Sequence, residues 1–250
     1  MRFTFLLICG LGAMAAQAGQ CVSESGPGTA ALVELYTSEG CSSCPPADRW
    51  LAGLGKRHAP ANMVPLALHV DYWDYIGWKD PYAKREFALR QKKLSQLQRM
   101  AFVYTPQVLL QGRDFRAWGS KSFDEAVARI NAQPARARLK LEVLGVGSQG
   151  LDVEARAELV QPVPDAALYL AAYQGKLESR VAAGENRGRL LTHEYVVLEW
   201  LGPFGVHDRV VERRRLPLPP GAAVANSGVA AFVQSRRTGE VLQALLRTPC

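Results

Sequence analysis

The stretch AALVELYTSEGCSSCPPADRWL, residues 30–51, decides how the chain is read. Its first eight residues are mostly apolar and rich in β-formers, the pattern of a strand buried on both faces. Ser38-Glu39-Gly40 ends that run, and Pro45-Pro46 opens a helix pattern with Trp50, Leu51 and Leu54 on one face. Proline suits a first helical turn, because the N–H it lacks would have had no partner there. Between strand and helix sit Cys41 and Cys44. Cysteines at i and i+3 share one face of a helical turn and can form a disulfide. Free N–H groups and the helix dipole favour a thiolate at such a terminus. Cys41 is therefore expected to be the accessible nucleophile with a lowered pKa, and Cys44 the resolving thiol. Zinc ribbons also use Cys-x-x-Cys, but the sequence has no second Cys-x-x-Cys and no His-x-x-x-His to complete a site. No metal site and no cofactor are expected.

Outward from this stretch, MVPLALHV at 63–70 reads as the next strand. A basic helix covers roughly 81–99. Val108 to Gln111 and Phe115 to Trp118 read as short strands about the turn Gly112-Arg113-Asp114, and Ser122 caps a helix to about Asn131, with Glu125 at capping-box spacing. The order β-α-β-α-β-β-α requires parallel strands with a right-handed crossover and then an antiparallel pair, which is the core of the thioredoxin fold. Parallel strands at 30–37 and 63–70 bring His69, Asp71 and Trp73 to the sheet edge that carries Cys41. Asp71 or His69 can then tune a thiol or move a proton, although a core histidine and a turn aspartate fit the same positions. Trp73 and Trp78 can wall the site or simply pack. The Thr105-Pro106 bond is expected to be cis, leaving the Thr105 backbone free to pair with an extended substrate.

Past Gln133-Pro134 the pattern changes to short apolar runs separated by turn residues: 138–146, 151–159, 167–174, 177–183, 190–200, 206–216, 228–234 and 240–247. Such spacing suggests an antiparallel sandwich or barrel. Gly184 to Arg189 reads as a polar turn that also suits a ligand site. The expectation is an α/β thioredoxin-like N-terminal domain at 26–134, followed by an all-β, sandwich-like antiparallel C-terminal domain at 138–250.

The first 18 residues read as a secretory signal peptide, with Arg2 before an apolar run and Ala16-Gln17-Ala18 as the cleavage site. Removal of Cys9 with that segment leaves four cysteines in an oxidising compartment, and Cys21 and Cys250 are expected to form a second, structural disulfide. The 250 residues are 48% hydrophobic and 21% charged, which excludes a mainly disordered chain. The basic segment Lys84 to Arg99 reads as a solvated helix face or a surface for an acidic partner. No nucleic-acid motif accompanies it, and no membrane anchor is expected.

LVELYTSEGCSSCPPADRWL, LALHVDYWDYIGWKDPYA, VYTPQVLLQGR, GENRGRLLTHEYVVLEW and VAAFVQSRRTGEVL together resemble a bacterial secreted family catalogued as a domain of unknown function. The resemblance spans nearly the whole mature chain. It implies a thioredoxin-like first domain, a β second domain and a periplasmic address, and it supplies no substrate. Cys41, Cys44 and Pro106 match redox positions of the thioredoxin superfamily. Pro45-Pro46 and Ser42-Ser43 are unlike thioredoxin itself, so the redox direction stays open. The function expected is thiol–disulfide exchange with protein or small-molecule thiols and disulfides, and with a redox partner protein. Two alternatives are a Cu(I) carrier using Cys41, Cys44 and His69, and a binding module whose Cys-x-x-Cys is a structural staple.

Overall fold

In chain order the secondary structure runs β1 (Val22–Glu24), β2 (Ala31–Thr37), α1 (Pro45–Arg57), β3 (Met63–His69), a 3-10 helix at Asp71–Ile76, α2 (Arg85–Leu97), β4 (Gln107–Leu110), β5 (Arg113–Asp114) and α3 (Lys121–Asn131). The second half adds β6 (Ala137–Gly147), β7 (Gly150–Leu159), β8 (Ala166–Gln174), β9 (Leu177–Arg180), β10 (Leu190–His193), β11 (Val196–Gly205), β12 (Arg209–Pro217), β13 (Ser227–Ser235) and β14 (Val241–Arg247). These elements come from a computed structural model that describes residues 21–147 and 150–248. The signal-peptide reading of residues 1–18 and the Cys21–Cys250 pairing lie outside the described residues.

Eight strands form one mixed sheet in the order β14-β13-β8-β11-β3-β2-β4-β5. This overturns the expectation of a thioredoxin-like domain followed by a separate β domain. The junction is β3. On one edge it pairs in parallel with β2, from Ala31 opposite Met63 to Thr37 opposite His69. On the other edge it pairs in parallel with β11, Val196 lying opposite Ala67, and the Ala67 N–H donates to the Tyr195 carbonyl at 2.8 Å. The physical reason lies in β3 itself. All seven of its residues are buried, so an open edge would strand its backbone polar groups away from water. The second half supplies the missing neighbour.

Both faces of this sheet are covered. Ala31, Val33 and Leu35 of β2, with Leu168 and Leu170 of β8, pack toward α1, α3 and the smaller sheet β1-β6-β7-β12. Leu32 and Tyr36, with Val64, Leu66 and Tyr169, pack on the other side with Phe87 and Leu94 of α2. The alternation follows from the two-residue period of a strand.

Local boundaries also differ from expectation. Residues 115–118 form no strand. The β4–β5 turn falls at Gln111-Gly112, both at positive φ (52° and 75°). A Cβ on Gly112 would lie 2.1 Å from the Gly239 carbonyl oxygen, so the turn is pressed against the β13–β14 turn. The run 190–200 splits into β10 and β11 at Tyr195, whose φ is 58°. Ser120, not Ser122, caps α3. Among the described residues no helix is long and apolar enough to cross a membrane.

Candidate functional site around Cys41 and Cys44

Cys41 and Cys44 form a disulfide, with their Cα atoms 5.5 Å apart. The Ser38–Gly40 break carries the chain off β2, and Cys44 then caps α1. The donors expected to stabilise a thiolate are missing from this helix end. Pro45 and Pro46 have no N–H, and the next two amides, of Ala47 and Asp48, donate to the Cys44 carbonyl at 2.9 and 3.1 Å. What faces the first sulfur is the Ser43 hydroxyl, 3.3 Å from Cys41 Sγ. Neither cysteine is accessible: both are 0% exposed, although Ser42 and Ser43 between them are exposed. The expectation of an accessible Cys41 sulfur is therefore overturned.

The cover comes from the polar turn at 184–189. Fully buried Asn186 donates through Nδ2 to the carbonyls of Glu39 at 2.8 Å and Cys41 at 2.9 Å. Glu185 accepts the Ser42 N–H at 2.9 Å. The Ser42 side chain and this N–H together hold the Glu185 carboxyl below its usual range. Arg189 donates to Asn186 Oδ1 at 3.0 Å and orients the amide. Sequence reading left this turn open between structure and ligand binding. The available signal was a Glu-Asn-Arg triplet flanked by Gly184 and Gly188, both at positive φ (72° and 84°), where glycine lets the chain turn tightly; of the triplet only Asn186 is buried.

Behind the disulfide lies a buried acid–base cluster. The Glu39 carboxylate accepts the Trp78 indole N–H at 2.8 Å and lies 3.0 Å from His193 Nε2. Asp80 lies 2.7 Å from His69 Nδ1 and accepts the backbone N–H groups of Glu39 at 2.8 Å and Tyr82 at 2.9 Å. Burial alone would pull the His69 imidazole down, but Asp80 more than reverses this and leaves it raised. Burial would likewise raise Asp80, yet His69 and the two amides hold it below its ordinary value. His69 and His193 meet edge to face, with ring centroids 5.0 Å apart. His69 Nε2 is buried and has no hydrogen-bond partner among the described residues. On α1, one turn past Cys44, Asp48 is buried and accepts the Thr37 hydroxyl at 2.8 Å. Burial pushes its carboxyl up, against the pull of the two histidines.

Thus His69 sits beneath the site, paired with Asp80, a residue that sequence reading passed over. Asp71 stands half-buried at the start of the 3-10 helix, outside that pair. The Thr105-Pro106 bond is cis. Because Tyr36 lies opposite Gln107, Pro106 falls at the sheet end from which the cysteine loop leaves. Trp73 joins the two segments. Its indole N–H donates to Thr105 Oγ1 at 2.6 Å, and a Cβ placed on Gly40 would be 3.2 Å from its own Cβ. Among the described residues, no group of three or more His, Cys, Asp and Glu is placed to hold a metal ion.

The pattern described as "Protein of unknown function (DUF1223)" matches residues 32–234, which include every site residue above. The chain belongs to the DUF1223 family. The DUF1223 fold has solved counterparts. A crystal structure of an Agrobacterium tumefaciens protein is 24% identical, with a TM-score of 0.65, over 89% of this chain and 96% of that one. HBP35 of Porphyromonas gingivalis is 13% identical, with a TM-score of 0.64, over 90% of this chain and 76% of that one. At these identities the likeness is one of fold. Comparison of this DUF1223 chain with curated proteins gives no match.

Proposed function

We propose that this DUF1223 protein is a thiol–disulfide oxidoreductase whose working pair is Cys41 and Cys44. The observation that carries the reading is Asp48: a buried carboxyl, raised by its burial, one helical turn from a disulfide cysteine and in no ion pair among the described residues. A disulfide serving only as a staple gains nothing from such a group, whereas a dithiol that must lose and regain protons does.

In the reducing direction, the Cys41 thiolate, hydrogen-bonded by Ser43, attacks a substrate disulfide. One substrate sulfur joins Cys41 and the other leaves as a thiolate that takes up a proton. Cys44 then passes its proton to Asp48 and attacks Cys41 Sγ. The second substrate thiolate leaves and the observed Cys41–Cys44 disulfide forms. Two electrons have moved from the protein dithiol to the substrate, and a dithiol donor must return them. The cis Thr105-Pro106 segment and Trp73 border the site and provide an extended backbone and an aromatic wall for substrate. Oxidation runs the same steps in reverse. A disulfide of this kind suits an oxidising compartment, so we place the protein outside the cytoplasm, in the cell envelope or beyond.

The complete burial of both cysteines favours a second reading, in which the disulfide is a staple under the 184–189 turn. Turnover of a protein disulfide substrate, with dithiothreitol as electron donor, separates the two. The redox reading expects wild type to exceed the dithiothreitol background and Cys41→Ser to fall to it. Equal background rates for both proteins would establish the staple.

A further inference from the structure

A cavity of about 550 Å³ lies between α2 and the strands β8, β11 and β13, on the face of the large sheet opposite α1. It shares no residue with the disulfide site, and neither the family match nor the proposed chemistry uses it. Its floor is Arg90. The guanidinium stands 4.6 Å from the Trp200 ring centroid and 5.3 Å from that of Tyr169. Glu34, fully buried, accepts Nε–H at 2.6 Å and Nη2–H at 3.1 Å, and Gln234 Oε1 accepts from Nη2 at 3.0 Å. An arginine carries five N–H donors. Glu34 and Gln234 take Nε–H and Nη2–H, the buried Tyr36 hydroxyl also hydrogen-bonds the guanidinium, and Nη1 donates to neither Glu34 nor Gln234.

The rim repeats the charge. Lys93, one helical turn along α2, and Arg236 and Arg237, at the end of β13, all line the cavity, are exposed, and enter no ion pair among the described residues. Two carboxylates also line it. One is Glu86, 3.7 Å from Lys84, and the other is Asp165. The walls are the rings of Tyr169 and Trp200 and the irregular stretch of β11 between Leu201 and Phe204, where its pairing with β8 shifts register. A buried ion pair is weak evidence for stability, since an apolar replacement of similar volume is often as good. Here the pair fixes an arginine at the base of an aromatic-walled, cationic cavity. Small-molecule sites combine such apolar walls with a few convergent polar groups.

The geometry points to a binding site for a small organic anion that joins an aromatic body to a phosphate, sulfonate or carboxylate group. The anionic group meets Arg90 Nη1 and the rim cations. The ring lies against Trp200 and Tyr169.

Calorimetric titration of the intact protein with phenyl phosphate, inorganic phosphate and phenol tests this. Phenyl phosphate is expected to bind at one site per chain, and phosphate and phenol each at least about tenfold more weakly, because each carries half of the recognised chemistry. Arg236→Gln/Arg237→Gln alters only exposed side chains and is expected to weaken phenyl phosphate at least about fivefold, as is Lys93→Gln from the opposite wall. The variant Cys41→Ser/Cys44→Ser is expected to bind like wild type, so failure of the redox reading leaves this site untouched. Absence of saturable phenyl phosphate binding would overturn the proposal. So would unchanged affinity in both rim variants, or inorganic phosphate binding as tightly as phenyl phosphate.

Discussion

Asn186 donates a hydrogen bond to the carbonyl oxygen of Cys41, 145 residues earlier in the chain, at 2.9 Å. With its second bond, to Glu39, it locks the backbone that presents the disulfide. Asn186→Ala leaves the Glu39 carbonyl without this donor and the Cys41 carbonyl with only the Cys44 N–H, at 3.2 Å, and an unsatisfied buried acceptor costs about 1–3 kcal/mol. The variant is expected to unfold at lower denaturant concentration and, because the cover is loosened, to lose its disulfide to dithiothreitol several-fold faster. Thiol release under native conditions, followed against time, checks this. A reduction rate equal to that of wild type would mean that the turn does not control access.

The His69–Asp80 pair makes stability depend on pH in a defined direction. His69 is raised, so its contribution is complete below the imidazole's ordinary value of about 6.5 and is lost as the pH rises through the folded value. Asp80 is lowered, so its contribution is complete above about 3.9 and is lost as the pH falls through the folded value. Their joint stabilisation is greatest between about pH 4 and 6.5. Asp80→Ala removes one partner of a buried pair and two backbone acceptor contacts. It is expected to cost about 3–5 kcal/mol in that window and less outside it. Denaturant unfolding at several pH values measures the difference.

Asp48 makes the opposite demand. A carboxyl raised in the folded state favours the fold while protonated and opposes it as the pH climbs from about 3.9 through the folded value. Asp48→Asn keeps an oxygen for the Thr37 hydroxyl and carries no charge. It is expected to gain roughly 0.5–2 kcal/mol at pH 8, the ordinary size of a stabilising substitution, and nothing at pH 3. Thiol–disulfide turnover is expected to fall at least tenfold in the same variant. A variant as active as wild type would remove Asp48 from the mechanism.

Because β3 shares its second edge with β11, the first half of the chain is not expected to fold alone. A fragment of residues 26–134 keeps β2, β3 and β4 but loses the strands that cover β3 and most of the partner face of the sheet. It is expected to show little protection of the β3 amides in hydrogen exchange, whereas the full chain protects them. A fragment with native-like protection would restore the picture of two independent folding units.

Most elements could be read locally. The buried run at 31–37, the proline-opened helix at 45 and the alternation in β7 are one-dimensional patterns with a direct physical cause. The cysteine pair and the Thr105-Pro106 segment were legible for the same reason. What sequence patterns do not carry is edge pairing. Nothing in MVPLALH says whether its second neighbour is another early strand or Val196, because backbone hydrogen bonds take no account of side-chain identity. The cover on the disulfide was hidden likewise: Asn186 acts through backbone carbonyls, and its partners lie more than 140 residues away. The helix-end donors were misjudged at closer range, since Pro45 and Pro46 removed the N–H groups that the general pattern supplies.

In the proposed cycle Cys41 exchanges with substrate and Cys44 resolves the product. In Cys44→Ser the resolving step is blocked. Incubating this variant with a small aromatic disulfide and recording the intact mass is therefore the most direct test. One stable mixed disulfide per native chain is expected, mapped by peptide analysis to Cys41 and absent from Cys41→Ser. A native Cys44→Ser protein that keeps its Cys41 thiol unmodified until it is denatured would contradict the proposed cycle.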